Sequence, residues 1–206
     1  MAIVILKNCR LSYPDLFKPG KPLNPGDTPK YGAQFIMEPG SEAEQLAKQA
    51  MVEAAKAEFG ANWQAIVGAM EKTKKCVRKG DDNLTKDGAV RDGYAGKTYL
   101  VARNKVQPLI IGPRKDPATG QFPILTEMDG KPYGGCYVNV KVDIKAMKAK
   151  DRIPNQIYAT LLTVQFAGDG PAFGSAPGTS DGFDDVAGAS MDDDITFEVM
   201  SASMFN

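Results

Sequence analysis

Histidine is absent from this chain of 206 residues, which removes the commonest general base near neutral pH and the commonest zinc ligand. Cysteine is scarce. Cys9, Cys76 and Cys136 are widely separated and in no CxxC spacing, so neither a disulfide framework nor a thiolate metal site is expected, and the thiols read as reduced. Long apolar runs are also missing: Ile3 to Leu6 and Leu109 to Ile111 are far short of the roughly 20 residues of a membrane span. The opening Met-Ala-Ile-Val-Ile-Leu-Lys reads as a strand rather than a leader, so a cytoplasmic protein with no membrane contact is expected.

Enzyme signatures are weak. Gly88 and Gly93 have phosphate-loop spacing, but Tyr94 stands where the lysine is needed. Asp184, Asp185 and Asp192 to Asp194 lie in a segment too poor in apolar residues to hold coordination geometry. No nucleophile and base pair can be named, no cofactor or metal is implied, and a non-enzymatic protein is expected.

Lys and Arg are absent from residues 167–206, which carry Asp169, Asp181, Asp184, Asp185, Asp192, Asp193, Asp194 and Glu198. These eight belong to a total of 25 acidic residues, leaving 25 basic against 17 acidic ones in residues 1–166. The net charge of zero thus divides into a body of +8 and a tail of −8. A polyanion-binding body with an acidic tail has this asymmetry.

Residues 3–13 alternate, with Ile3, Ile5, Cys9, Leu11 and Tyr13 on one face and Asn8, Arg10 and Ser12 on the other, the pattern of a half-buried strand. After a Pro/Gly-rich loop, Tyr31 to Met37 resumes it. Ser41 with Glu44 forms a capping box ahead of a helix that ends near Phe59-Gly60, and a short second helix is expected over 63–70. Residues 80–96 read as a mobile polar loop, and strands return at 98–105, 136–144 and 156–166. The last is apolar on both faces. The fold expected is mainly β: an OB-like antiparallel five-stranded barrel over residues 1–168, with a helical insertion at about 41–72, followed by a disordered acidic tail over 169–206.

Holding a single strand of nucleic acid needs cations along the phosphates and flat aromatic faces for unstacked bases. Alternation puts Tyr99, Arg103 and Lys105 on one side of 98–105, opposite Leu100 and Ala102. It also puts Tyr137 and Lys141 opposite the valines of 136–144. These five are the leading candidates for DNA contact. The basic stretch with Lys74, Lys75, Arg78 and Lys79, and the loop residues Arg91 and Tyr94, are further candidates for phosphates and bases. Tyr13, Tyr31 and Phe35 fall on apolar faces, which favours core packing, and all three are kept as weaker candidates. Trp63 reads as a helix anchor. Asp192, Asp193, Asp194 and Phe205 make an acidic tail tipped by an aromatic, suited to a basic, apolar pocket on a partner.

Three stretches resemble a family of bacteriophage single-stranded DNA-binding proteins, long known only as a domain of unknown function. They are Arg10-Leu-Ser-Tyr-Pro-Asp-Leu-Phe with Lys30-Tyr31 and the strand to Met37; Lys97-Thr-Tyr-Leu leading to Asn104-Lys105; and Tyr133-Gly-Gly-Cys-Tyr-Val-Asn-Val, followed by Leu162-Thr-Val-Gln-Phe and Gly-Asp-Gly-Pro-Ala-Phe-Gly. The resemblance implies an OB fold, binding of single-stranded DNA with little sequence selectivity in phage replication or recombination, and action in the host cytoplasm. It also implies an acidic tail of the kind phage replication proteins use, and recruitment of a polymerase, helicase or primase by that tail is expected. This chain departs from the family pattern at Lys150-Asp-Arg-Ile-Pro-Asn, where a lysine-glycine step is expected. An assembly protein of the virion and a strand-annealing mediator are the alternatives, and the sequence leaves self-association open.

Overall fold

A computed structural model describes residues 2–22 and 26–174; Asp192, Asp193, Asp194 and Phe205 lie outside the described residues. Among the described residues there are seven strands: β1 (Ala2–Gly20), β2 (Lys30–Met37), β3 (Val77–Lys79), β4 (Thr98–Asn104), β5 (Leu109–Ile111), β6 (Tyr137–Met147) and β7 (Gln156–Gly168). Two helices, α1 (Glu42–Phe59) and α2 (Trp63–Ala69), separate β2 from β3. The strand order is β3-β4-β2-β1-β6-β7-β5, and a further pairing of β4 with β7 closes β1, β2, β4, β7 and β6 into a barrel of OB type. The closing pair is parallel, with Ala102 beside Ala159 and Arg103 beside Thr160, so the barrel is mixed rather than wholly antiparallel as expected.

β1 changes register at three places along its length, two of them with one extra residue. Leu6 pairs with Val140 and Cys9 with Val138, so Lys7 and Asn8 face one residue of β6. Ser12 pairs with Gln34 and Asp15 with Gly32, so Tyr13 and Pro14 face one residue of β2. Asn8 and Tyr13 take φ of 54° and 48° at these points. Each extra residue reverses the alternation. Leu6, Cys9, Leu11 and Leu16 therefore face the core, while Ile3 and Ile5 are 55% and 52% exposed. The single apolar face expected for residues 3–13 is corrected accordingly.

β6 follows its pattern without interruption. Val138, Val140, Val142 and Ile144 are wholly buried and meet Phe35, Leu100, Leu161 and Val164 in one core. The apolar character of both faces of β7 has a cause in register: Lys141 pairs with Thr163 but Val142 with Leu161, so Leu162 is an extra residue. Inward positions consequently run Ile157, Ala159, Leu161 and then Val164, Phe166.

The helix α1 packs against β1 and β6 through small side chains, Ala43, Ala47, Ala50 and Ala54, all buried. Its Ser41 cap accepts a hydrogen bond from the Glu44 amide at 3.2 Å. The Glu44 carboxylate in turn accepts from the Gly40 amide at 2.8 Å and from Lys48 Nζ at 2.6 Å. Trp63 opens α2 and packs on the core, with Lys56 Nζ 5.6 Å from its ring centroid.

The 80–96 segment is folded back rather than loose. The Gly80 amide donates to Lys97 O at 2.7 Å, Arg91 N to Asn83 O at 2.9 Å, and Gly96 N to Asp81 Oδ1 at 2.8 Å. At the other end the compact body runs to Gly174, and residues 169–174, assigned from sequence to the tail, lie against the barrel.

Candidate nucleic-acid interface

Outward-facing residues of β1, β2 and β4 form one continuous surface. On β2 these are Gly32, Gln34 and Ile36, the side opposite buried Ala33, Phe35 and Met37. Pairing sets Ser12 beside Gln34 and Gln34 beside Val101, and on a neighbouring rung Gly32 beside Arg103. Gly32 has no side chain where one would obstruct: a Cβ there would lie 2.8 Å from Arg103 Cγ and 2.8 Å from Ala102 O. Arg103 therefore runs across β2 along the floor of a groove of about 340 Å³. Lys21, Lys30, Arg103 and Lys105 line it, with Asp15 and Asp27 as the acidic members.

Tyr13 stands at the end of this groove and also lines a second hollow of about 410 Å³. It is 49% exposed. The bulge at Tyr13 and Pro14 lifts the ring out of the core side, and the Arg91 guanidinium lies 5.6 Å from the ring centroid. A flat ring between two concavities, with cations on both sides, supplies the two elements a single-strand site requires.

The floor is held by a chain of hydroxyl and amide contacts. The Tyr94 hydroxyl donates to Gln34 Oε1 at 2.7 Å, and Asn83 Nδ2 donates to the same oxygen at 3.2 Å. Burial, opposed by a hydrogen bond with Ser12, pushes the Tyr94 phenol up to about 12, so it stays protonated and keeps donating. Gln34 is thereby oriented in the groove wall.

The positions expected from sequence divide into those at this groove and those elsewhere. Arg103, Lys105 and Arg91 line the groove and the adjoining hollow. Tyr99 and Tyr94 do not present faces: they are 5% and 1% exposed and meet edge to face, 5.1 Å apart at 84°. The outward parity expected for Tyr99 holds, but the folded-back loop and Phe173 cover it, which corrects its expected exposure. Tyr137 is half-buried, since Gly170 lies over its ring, where an added Cβ would be 3.0 Å from Cε2. Lys141 is exposed on β6 between Ile5 and Thr163, away from the groove lining.

Tyr31 has the parity of the core side and is half-buried. Arg78 is occupied internally, donating from Nε to Lys75 O at 2.7 Å and from Nη2 to Thr73 O at 2.6 Å. It clamps the turn before β3 with these donors and also lines the basic hollow beside it. Lys75 and Lys79 line a separate hollow of about 320 Å³ with Lys72, itself paired to Asp82 at 2.6 Å. Lys74 lines another beside α2. Sequence reasoning held Tyr13 only as a weak candidate and missed Gln34, Lys21 and Lys30; the two lysines were legible as cations in and at the end of the loop joining the first two strands, a binding loop of this fold.

Among the described residues no cluster of His, Cys, Asp and Glu could hold a metal ion, and no helix is long and apolar enough to cross a membrane. An OB-type barrel with a cationic groove across three strands, ended by an exposed tyrosine, presents the charges and the ring that a polyanion with planar groups requires. The chain belongs to the family of the Enterobacter phage Enc34 single-stranded DNA-binding protein, whose model matches residues 2–196. Protein p50 of Acyrthosiphon pisum secondary endosymbiont phage 1 is 33% identical over 190 residues, covering 88% of this chain and 92% of that protein. Among solved structures, the Enc34 protein in complex with single-stranded DNA superposes with a TM-score of 0.64 at 21% identity, over 84% of this chain and 89% of that one. The single-stranded DNA-binding protein gp2.5 of bacteriophage T7 gives 0.51 at 13% identity, over 85% and 90%. These two likenesses establish the fold.

Proposed function

We propose that this chain binds single-stranded DNA with little sequence preference during phage DNA replication or recombination, along the groove that ends at Tyr13. The observation that carries the reading is Tyr13, held half-exposed by its bulge between two concavities with Lys21, Lys30, Arg103 and Lys105 on one side and Arg91 on the other. Tyr13 stacks a base, the cations hold successive phosphates, and Gln34 offers its amide to a base edge. Lys75 and Lys79 extend the phosphate path. Family membership supports the same reading.

The acidic segment recruits a polymerase, helicase or primase through Asp192, Asp193, Asp194 and Phe205, and competes with DNA for the cationic face. Anisotropy of a labelled oligothymidine at two salt concentrations, with a duplex of equal length as control, tests the binding. Tight, salt-sensitive binding with a far weaker duplex signal is expected, because phosphate contacts release counterions and stacking needs unpaired bases. No binding to either probe overturns the reading. Changing Asp192, Asp193 and Asp194 together to Asn should tighten binding at low salt, where screening is weak; unchanged affinity would rule the competition out.

A further inference from the structure

Beyond the groove, the same outer surface continues beneath a strap formed by Asp169–Gly174. Arg10 of β1 pairs with Tyr137 of β6 on one side and Ile36 of β2 on the other, and Ile36 pairs with Tyr99 of β4. This row of one cation and two tyrosines crosses the sheet next to Ser12 and Gln34. The strap covers it. Gly170 lies on the Tyr137 ring, and Phe173 packs against the cluster of Ile36, Tyr94 and Tyr99.

The central contact is between Phe173 and Arg10. The Arg10 guanidinium sits over the Phe173 ring, 4.2 Å from its centroid, and Nη2 donates to Pro171 O at 2.9 Å. Its Nε is buried and, among the described residues, has no hydrogen-bond partner. A buried charged donor left unpaired is costly, and such exceptions call for an explanation. An arginine with a planar ring on its face and a donor still unfilled is a nucleotide-binding arrangement: the guanidinium stacks a base and the free donor takes a phosphate oxygen. Here a phenyl ring occupies the base position and a neutral carbonyl stands for the phosphate.

Apart from the packing of Phe173, the strap's fastenings are polar and mostly at the surface. Lys131 Nζ pairs with Asp169 Oδ2 at 2.9 Å, with side chains 40% and 62% exposed. The Tyr133 hydroxyl meets Asp169 Oδ1 at 3.1 Å and Gly170 O at 3.0 Å, and the Phe173 amide donates to Gly134 O at 3.0 Å. Exposed ion pairs of this kind contribute little. Phe173 and Tyr13 line the same 410 Å³ hollow, so a strand that passes Tyr13 arrives at Phe173.

We propose that Arg10 and Tyr137 form a second nucleotide subsite, for a base and its phosphate, which Phe173 fills in the free chain and yields when a longer strand binds. The inference rests on the groove beside Tyr13 being the strand path. It makes Phe173 an internal substitute for a base.

The test is hydrogen exchange of the full chain, read at the Phe173 amide and its neighbours, with and without oligothymidines of increasing length. Short oligomers that reach only Tyr13 should leave the Phe173 amide protected. Longer ones should strip that protection, roughly tenfold or more in exchange rate, while amides of β2 and β4 become better protected. Phe173→Ala in the full chain should bind the longer oligomers about threefold to tenfold tighter, a gain of the size expected when an internal competitor is removed, with short-oligomer affinity unchanged. Retained or increased protection at Phe173 on saturation with the longest oligomer overturns the subsite. So does a Phe173→Ala variant that folds and shows equal or weaker affinity at every length. If that variant does not fold, the exchange measurement on the natural chain still decides. Failure of every oligomer to bind would instead sink the reading of the groove itself.

Discussion

Arg103 lies across the backbone of Gly32, its Cγ 2.8 Å from where any other residue would carry its Cβ. One strand's missing side chain is thus the seat of the next strand's cation. Placing an alanine at Gly32 forces either the arginine stem or the β2–β4 rungs to move, because the Ala102 carbonyl is equally close at 2.8 Å. Gly32→Ala should lower affinity for oligothymidine about fivefold or more, since one displaced phosphate contact reduces the salt slope by roughly one unit. Measuring that slope separates a lost cation from a general loss of fold; an unchanged slope would mean that Arg103 does not hold a phosphate.

Tyr13 pays for its position in backbone strain, a φ of 48° that L-residues other than Asn and Asp rarely adopt. Tyr13→Gly should therefore leave the melting temperature unchanged or raise it, because the strain costs about 1 kcal/mol or more. Affinity for oligothymidine should nevertheless fall about fivefold to a hundredfold, the range of one lost base stack. Tyr13→Phe should keep most of the affinity. A glycine variant that binds as well as the natural chain would dismiss Tyr13 as a stacking residue.

Glu44 ties the start of α1 to β4 through Lys48, Thr98 and the Gly40 amide. Hydrogen bonds with Lys48, then Thr98, then the Gly40 amide, lower its carboxyl from 4.5 to about 2. A folded-state value below the unfolded one stabilises the chain above pH 4.5, and that contribution disappears as pH falls toward 2. It amounts to about 3 kcal/mol at most. Urea midpoints of the natural chain should drop through this window, whereas those of Glu44→Gln should be lower at neutral pH and fall less steeply. Parallel curves would deny Glu44 the role.

The three cysteines are buried, and burial pushes the thiols of Cys9 and Cys76 up to about 12 and that of Cys136 to about 11. A disulfide-exchange reagent at pH 8 should leave the folded chain untouched and titrate all three after denaturation, since the thiolate is the reacting form. Rapid reaction of any one under native conditions would contradict that burial.

Much of the architecture was readable from residues whose signals are local. Ser41 and Glu44 marked the start of α1, and the valines of β6 alternate without a break because no bulge interrupts that strand. The site was harder. Alternation from Leu11 put Tyr13 inside, and nothing in a tyrosine announces a positive φ; only the register of β1 against β2 shows the extra residue. Alternation along β4 put Arg103 on the outer side, where it lines the groove with Lys105 just past the strand's end. Tyr99 was judged by the same rule and its direction was right, yet its exposure depends on Phe173, 74 positions away in the chain, and on a loop whose polar composition hides that it folds back on itself.

The closing seam of the barrel consists of two rungs, Ala102 with Ala159 and Arg103 with Thr160, against the long ladder joining β6 to β7. Arg103 is one of its four residues and also the cation on the groove floor. If Arg103 holds a phosphate as proposed, a strand bound there also fastens this seam, because a ligand that binds only the closed barrel adds to the stability of that state.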